Sequence, residues 1–446
     1  MSSETPRFDA DFLWGASTAS YQIEGAVTED GRGETIWDRF SHTPGKVRNG
    51  DTGDVACDHY HRWQTDIGLL KRLNLNAYRF SVAWSRILPS GRGPVNQAGL
   101  DFYSRLVDGL LEAGITPSLT LYHWDLPQPL QDEGGWMRRG IIDDFVAYTD
   151  VVARALGDRV KFFITQNEPW VFTWLGYVMG EHAPGFTSES VKPALVTTHN
   201  ALLAHGAAVK ALRAAVPDAQ VGITLNLYHV DPATNRPADL EAAARHDGHL
   251  NRWYLDPLFR GHYPSDMVEL WQADLPDIMP GDMEQISVPT DFLGINYYSR
   301  HVVADAPGGR YTEIMTIPQA GEHCAMGWEV YPDGLYAILK RVHADYAPRA
   351  IYVTENGAPY DDILTEDGQI HDAERTAYLQ RHFAAAAHAH RDGVPVKGYF
   401  VWSLIDNFEW AFGYSLRFGM VYVDFATQQR IVKDSGKYMA QVAARS

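Results

Sequence analysis

Eight short apolar runs, each followed by a helical pattern, recur along almost the whole chain. The runs cover residues 12–16, 77–82, 116–122, 160–165, 221–226, 292–297, 350–354 and 398–402. Helical patterns between them include residues 54–73, 96–113, 141–156, 191–215 and 372–391. Asp372 stands where an acidic N-cap is expected for the last of these helices.

Strands that alternate with helices form a parallel sheet, and eight such units close into a barrel. We therefore predict an α/β fold, a (β/α)8 or TIM barrel, as a single domain over residues 1–446. The longest insertions, at about 17–53, 227–290, 299–330 and 403–432, should be βα loops. These loops build the active face of such a barrel.

Bulk composition excludes several classes of protein. The net charge of −18 opposes binding to nucleic acids and to anionic membranes. No stretch approaches the roughly 18–20 apolar residues of a membrane span, and residues 1–7 lack the apolar core of a signal peptide. Cys57 and Cys324 have neither a disulfide framework nor metal-ligand spacing. We expect a cytoplasmic protein with two buried thiols.

Polar or aromatic residues lie on, at the end of, or shortly after every predicted strand. Functional side chains in a barrel lie at the carboxyl ends of its strands, so the whole set predicts one functional site. Any one of these residues taken alone would be interpreted as structural. In strand order they are Gln22; Arg79; His123 and Trp124; Asn167 and Glu168; Asn226; Asn296 and Tyr298; Glu355; and Trp402 with Glu409 and Trp410.

Two of these residues are glutamates in closely similar surroundings. The motifs Thr165-Gln166-Asn167-Glu168-Pro169 and Tyr352-Val353-Thr354-Glu355-Asn356-Gly357 each place a carboxylate beside an asparagine at the end of an apolar run. Two carboxyl groups facing each other across a pocket can cleave a glycosidic bond, one as proton donor and the other as nucleophile.

With these motifs, the chain resembles the family 1 glycoside hydrolases, the β-glucosidase family, from about residue 7 to residue 440. The resemblance also rests on residues 12–25 and on the Trp402-to-Trp410 segment, which reads WSLIDNFEW. It implies that Glu168 is the general acid/base and Glu355 the nucleophile. It further implies that Tyr298 and Arg79 neighbour the nucleophile, and that no cofactor or metal is needed.

The resemblance also implies a division of the site into a sugar side and a leaving-group side. The sugar is expected to be bound by Gln22, His123, Trp124, Asn167, Asn296, Trp402, Glu409 and Trp410, with Asn226 in support. Trp328 is expected to form the floor of the leaving-group (aglycone) site, and Trp170, Leu175, His182 and Phe186 its entrance. Bulky groups there should hinder the binding of a second glucose. The sequence therefore predicts moderate tolerance to inhibition by the product glucose.

The chemistry of the pair gives a further set of expectations. The resemblance implies that the anomeric configuration is retained, so the two carboxyl groups should be about 5–5.5 Å apart. Like charges at that distance repel, so Glu168 should be protonated while Arg79 and Tyr298 keep Glu355 ionised. The Glu409 carboxylate should repel a 6-phosphate, which favours unphosphorylated glucosides. Glu168 itself argues against a thioglucosidase, in which glutamine replaces the acid.

The predicted activity is a retaining exo-β-glucosidase acting on cellobiose and on aryl or alkyl β-glucosides, with some activity on galactosides and fucosides. The partner is a small carbohydrate, and a homo-oligomer is compatible with the sequence. Three alternatives stay open: a transglycosylase, a non-catalytic sugar-binding relative and a metal-dependent barrel hydrolase. His59 and His61 raise the question of a metal site. Because residues two apart on a helix face different directions, we interpret them instead as solvated or capping histidines.

Overall fold

The computed structural model describes residues 8–445, in which eight parallel strands close into a barrel. The first strand pairs with the eighth, and the others pair in chain order. The predicted fold class is confirmed; the polar segment 1–7 lies outside the described residues. The barrel strands are Leu13–Ser17, Ala77–Ser81, Thr116–Tyr122, Phe162–Asn167, Gln220–Asn226, Phe292–Asn296, Ile351–Asn356 and Val396–Trp402.

Helices follow each strand and cover the outside of the barrel. Seven of the eight units contain one main helix: His59–Arg72, Gln97–Glu112, Ile141–Leu156, Lys192–Ala215, Pro332–Tyr346, Ala373–Arg391 and Asp434–Ala443. The fifth unit instead contains Pro237–Asp247, the π-helical turn Gly248–Arg252, Trp253–Arg260, Ser265–Leu270 and Asp282–Ile286. The prediction that residues 227–290 form a βα loop is therefore wrong, because that segment contains the helices of its unit.

Shorter elements build the loops above the barrel. They are the helices Ser20–Ile23, Ile36–Ser41, Trp84–Ile87 and Gln128–Asp132, the 3-10 turns Arg48–Gly50, Gly135–Met137 and Trp410–Phe412, and the π-helical turn Val171–Leu175. A small sheet joins His229–Pro232, Arg300–Asp305 and Ile314–Thr316, and Val421–Asp424 pairs with Gln429–Val432.

A separate aromatic cluster lies at the amino ends of three barrel strands. The rings of Phe162 and Phe292 stack with their centroids 4.3 Å apart, and Tyr352 packs edge-on against both. Asn167 and Glu355 lie at the opposite, carboxyl ends of their strands.

Several local predictions need correction. Asp372 precedes its helix but does not cap it, because its carboxylate binds Arg375 and Ser435 instead. His59 is buried against Asp66 rather than solvated. Cys57 and Cys324 are buried free thiols, as predicted. Over residues 8–445, no helix combines the length and the apolar character that a membrane crossing requires.

Candidate active site

The fourth strand has a bulge just before its glutamate. Ile164 lies opposite Gly222 and Asn167 lies opposite Thr224, so three steps on one strand match two on the other. A bulge re-aims the side chains that follow it. Glu168 then adopts φ 49°, a left-handed conformation that is uncommon for residues with a side chain, and its backbone N–H donates to the Thr224 carbonyl at 2.9 Å. The carboxyl group thereby reaches the cavity above the barrel.

The seventh strand is irregular at the corresponding place. Val353 lies opposite Ile295 and Glu355 opposite Asn296, so the seventh strand has one extra residue at that point. Glu355 therefore lies inside the strand Ile351–Asn356, whereas the sequence places it just beyond the strand end.

The carboxyl group of Glu355 is buried and held at both oxygens. Arg79 donates to one oxygen at 2.5 Å, and the Tyr298 hydroxyl donates to the other at 2.6 Å. Burial raises the pKa of Glu355, a shift that the sequence does not predict, while Arg79 and Tyr298 oppose it. These two donors favour the ionised form.

The Glu168 carboxyl group has different neighbours. Asn296 donates to it at 2.6 Å, and no Lys or Arg side chain in the described chain forms an ion pair with it. Burial, followed by the charge on Glu355, raises the pKa of Glu168 well above its usual range. The protonated form is therefore favoured more at Glu168 than at Glu355.

Hydrogen bonds connect the two acids through amide side chains. Asn167 accepts from Arg79 at 2.7 Å and from Asn296 at 3.0 Å. Arg79 binds Glu355 and Asn296 binds Glu168, so the chain runs unbroken from one acid to the other. Both acids are thus held by the same hydrogen-bonded framework of Arg79, Asn167 and Asn296.

Thr354, His123 and Trp124 fix this framework from outside. Thr354 donates to Asn296 at 2.7 Å, and the Trp124 indole N–H donates to the Asn167 carbonyl at 2.8 Å. The Asn167 amide lies 3.1 Å from His123 Nε2. Burial, and secondarily the charge of Arg79, lowers the pKa of His123 well below its usual range, so this nitrogen can accept a hydrogen bond.

Aromatic rings form one wall of the cavity. His123 lies nearly parallel to both Trp402 and Trp410, with ring centroids 5.8 and 6.0 Å away. Trp124 and the fully buried Trp37 each pack 4.5 Å from Trp410. Flat apolar surfaces beside polar groups suit the C–H faces of a sugar.

Some buried polar atoms near this wall have no hydrogen-bond partner among the described residues. They are Gln22 Oε1, His123 Nδ1, Asn226 Nδ2 and Glu409 Oε2. Such atoms are rare in folded proteins and indicate a polar ligand or water. Burial, followed by the charge of Glu355, raises the pKa of Glu409 to about 8. This shift favours the protonated form of Glu409, whereas the sequence predicts a carboxylate at this position.

The rings and acids enclose a cavity of about 300 Å³. It brings together most of the residues that the sequence predicts for the site: His123, Trp124, Glu168, Trp170, Leu175, His182, Asn226, Tyr298, Trp328, Glu355, Trp402, Glu409 and Trp410. Four further predicted residues, Gln22, Arg79, Asn167 and Asn296, are buried outside this lining. Phe186 does not line the cavity; it is 47% exposed and packs against Tyr177.

Six lining residues were not predicted from the sequence: Val171, Glu181, Tyr228, Met326, Phe412 and Phe418. Tyr228 and Phe412 each follow a predicted site residue by two positions, so the strand-end rule applied slightly further along the chain would include them. Met326 and Phe418 lie in long insertions with no comparable pattern.

Comparisons with known proteins agree with this geometry. Residues 4–446 match glycosyl hydrolase family 1. The chain belongs to this family. The β-glucosidase A of Thermotoga maritima is 50% identical over 440 residues, which cover 98% of this chain and 97% of that protein. A bifunctional β-D-glucosidase/β-D-fucosidase of Bifidobacterium breve is 45% identical and covers 96% of each chain.

A solved structure of a Thermotoga maritima β-glucosidase in complex with deoxynojirimycin superimposes with a TM-score of 0.96. The two chains are 50% identical, and the match covers 98% of this chain and 99% of the other. The present chain is therefore a glycoside hydrolase of family 1.

Proposed function

We propose that this family 1 enzyme is a retaining exo-β-glucosidase that removes terminal β-D-glucosyl residues from cellobiose and from aryl or alkyl β-glucosides. One observation carries the proposal: two buried carboxyl groups lie on bulged strand ends, one beside a cation and a phenol and the other without an ion pair. Such a difference assigns a nucleophile and an acid to the two groups.

The proposed mechanism is a double displacement. Glu168 protonates the glycosidic oxygen while Glu355 attacks the anomeric carbon, which releases the aglycone and forms a glycosyl-enzyme ester. Esterification removes the charge of Glu355, so the pKa of Glu168 falls. Glu168 can then take a proton from water, which attacks the anomeric carbon and restores Glu355.

The sugar side of the cavity supports an unphosphorylated hexose. Gln22 and Glu409 have free acceptor atoms for sugar hydroxyls, and Trp410 offers a ring face. No lysine or arginine lines the cavity within the described chain, so a 6-phosphate would have no counter-ion there. The name of the Bifidobacterium breve relative supports additional β-fucosidase activity. An amide and a protonated acid can also adjust to the C4 epimer, galactose.

The roles of the two acids can be tested with Glu355→Gly. Hydrolysis of an aryl β-glucoside should fall by several orders of magnitude, and azide should restore turnover of an activated substrate with α-glucosyl azide as product. Retention of that activity, or failure of both azide and formate to rescue it, would contradict the nucleophile assignment.

Glu168→Gln is the matched variant for the acid/base. It should lose cellobiose hydrolysis, yet still form the glycosyl-enzyme from 2,4-dinitrophenyl β-glucoside, because that leaving group needs no proton. Added azide should then yield β-glucosyl azide. Following the first-formed anomer of the wild-type product by NMR tests retention directly; α-glucose as the initial product would refute it.

A further inference from the structure

Trp170, in the wall of the cavity, is held from behind by a histidine. Its indole N–H donates to His249 Nε2 at 3.1 Å, and the two rings lie edge-on with centroids 5.7 Å apart. Trp170 is half-buried and lines the cavity close to Glu168, whereas His249 is 3% exposed and does not line it. His249 can therefore influence a bound substrate through the Trp170 ring rather than by lining the cavity itself.

Packing fixes the imidazole of His249. Trp174 lies edge-on to it at 4.2 Å and Trp271 at 5.8 Å. Trp174 is itself tied by its N–H to the Tyr254 hydroxyl at 3.1 Å. Burial lowers the pKa of His249 to about 3, so Nε2 remains free to accept the Trp170 proton throughout the neutral range.

Both partners of this hydrogen bond lie at π-helical turns. Trp170 directly precedes the π turn Val171–Leu175, and His249 lies within the π turn Gly248–Arg252. Single π turns are rare and occur often at functional sites. Here the two turns come from the fourth and fifth barrel units.

Histidines also lie behind a second ring of the cavity wall, that of Tyr228. His246 Nε2 lies 2.8 Å from His301 Nδ1, and the His301 ring packs 4.5 Å from that of Tyr228. The rings of His246 and His249 are 6.1 Å apart. Trp170 and Tyr228, both in the cavity lining, are thus backed by one row of histidines.

We propose that His249 is a positioning residue that fixes the Trp170 indole as a wall of the leaving-group site, and so governs preference among aglycones without affecting the sugar site. The proposal rests on the proposed β-glucosidase function. Substrates whose aglycone packs on this wall should depend on His249, and substrates with a minimal leaving group should not.

The test compares cellobiose with β-glucosyl fluoride, whose leaving group is a single atom. In His249→Leu, kcat/KM for cellobiose should fall by about three- to tenfold, mainly through KM, as expected for loss of one hydrogen bond. For β-glucosyl fluoride, kcat/KM of the same variant should change by less than about twofold. Inhibition by deoxynojirimycin, used here as a probe of the sugar side, should not change.

Two further variants separate positioning from general damage. His249→Gln keeps an acceptor and should recover part of the cellobiose activity; it also serves if the leucine variant does not fold. In a Trp170→Phe background the donor is gone, so His249→Leu should cause no further loss. Equal losses on both substrates, or losses that add in the double variant, would overturn the positioning role. Wild-type enzyme inert toward β-glucosyl fluoride would instead contradict the proposed function.

Discussion

The two catalytic candidates are the same residue type in the same barrel, and their neighbours alone distinguish them. Glu355 receives hydrogen bonds from Arg79 and Tyr298, both of which favour its ionised form. Glu168 receives one from the neutral amide of Asn296. Burial raises the pKa of both groups; the charge of Glu355 raises that of Glu168 further, whereas Arg79 and Tyr298 oppose the rise at Glu355. These few contacts support the proposed division of roles between the two acids.

Removing the Tyr298 hydroxyl tests this division. In Tyr298→Phe the donor that lowers the pKa of Glu355 is lost, so that pKa rises further. Because the nucleophile must be ionised, the acidic limb of the pH profile of kcat/KM should move to higher pH. A hydrogen bond to a charged group contributes about 1.5–3 kcal/mol, so kcat/KM at the optimum should fall about ten- to a hundredfold. An acidic limb that stays in place or moves to lower pH would contradict the assignment.

At the scale of elements, the alternation of strands and helices was sufficient to predict the barrel, because each unit has its own local pattern. The exact ends of the strands could not be predicted from these local patterns. Asn167 and Glu355 lie within strands rather than after them, since each strand has a bulge that depends on pairing with a distant neighbour. Asp372 failed as a cap for a similar reason: Arg375 and Ser435 compete for its carboxylate, and Ser435 is far away in sequence. Local patterns predict elements, whereas contacts between distant segments set their details.

The loop that contains Glu409 and Trp410 is anchored by a buried ion network just before the last helix. The fully buried Lys433 ammonium lies 2.7 Å from Asp406 and 2.5 Å from Asp362. Asp406 also pairs with Arg417 at 2.6 Å. The neighbouring Asn407 accepts from Gln22, so the network continues into the sugar side of the site.

Lys433→Met should therefore destabilise the protein strongly, since it leaves buried carboxylates without one of their cations. Loss of one partner of a buried pair lowers the free energy of unfolding by about 3–5 kcal/mol. Lys437→Met is the matched control on the following helix, because its pair with Asp434 is largely exposed and contributes about 0–1 kcal/mol. Urea unfolding of both variants measures the difference; equal midpoints would show that the network does not stabilise the loop.

At the scale of the whole molecule, segments far apart in sequence meet at one cavity. The loops after the fourth and sixth strands contribute Trp170, Leu175 and Trp328 to it. We propose that these bulky groups narrow the leaving-group side, so that a second glucose binds there poorly. We predict an inhibition constant for glucose above the low millimolar range, measured with an aryl β-glucoside. Leu175→Ala should lower this inhibition constant. Tight inhibition of the wild type by glucose would contradict the prediction.

The charge of the molecule should also act on the choice of substrate. The chain has a net charge of −18, and within the described residues the cavity is lined by four glutamates and by no lysine or arginine. Glu181 is the exposed member of this set, so it faces an arriving ligand with its charge screened only by solvent and salt. A carboxylate on the aglycone should therefore weaken productive binding, whereas a neutral aglycone of the same shape should not meet this repulsion.

We predict that kcat/KM for 4-carboxyphenyl β-glucoside increases about three- to tenfold in Glu181→Gln, while that for 4-carbamoylphenyl β-glucoside changes by less than about twofold. Comparing each substrate between wild type and variant cancels the different leaving abilities of the two phenols. Added salt should raise the wild-type rate on the anionic substrate toward that of the variant, because screening weakens the same repulsion that the substitution removes. If Glu181→Gln accelerates both substrates equally, the effect is steric and the electrostatic argument fails.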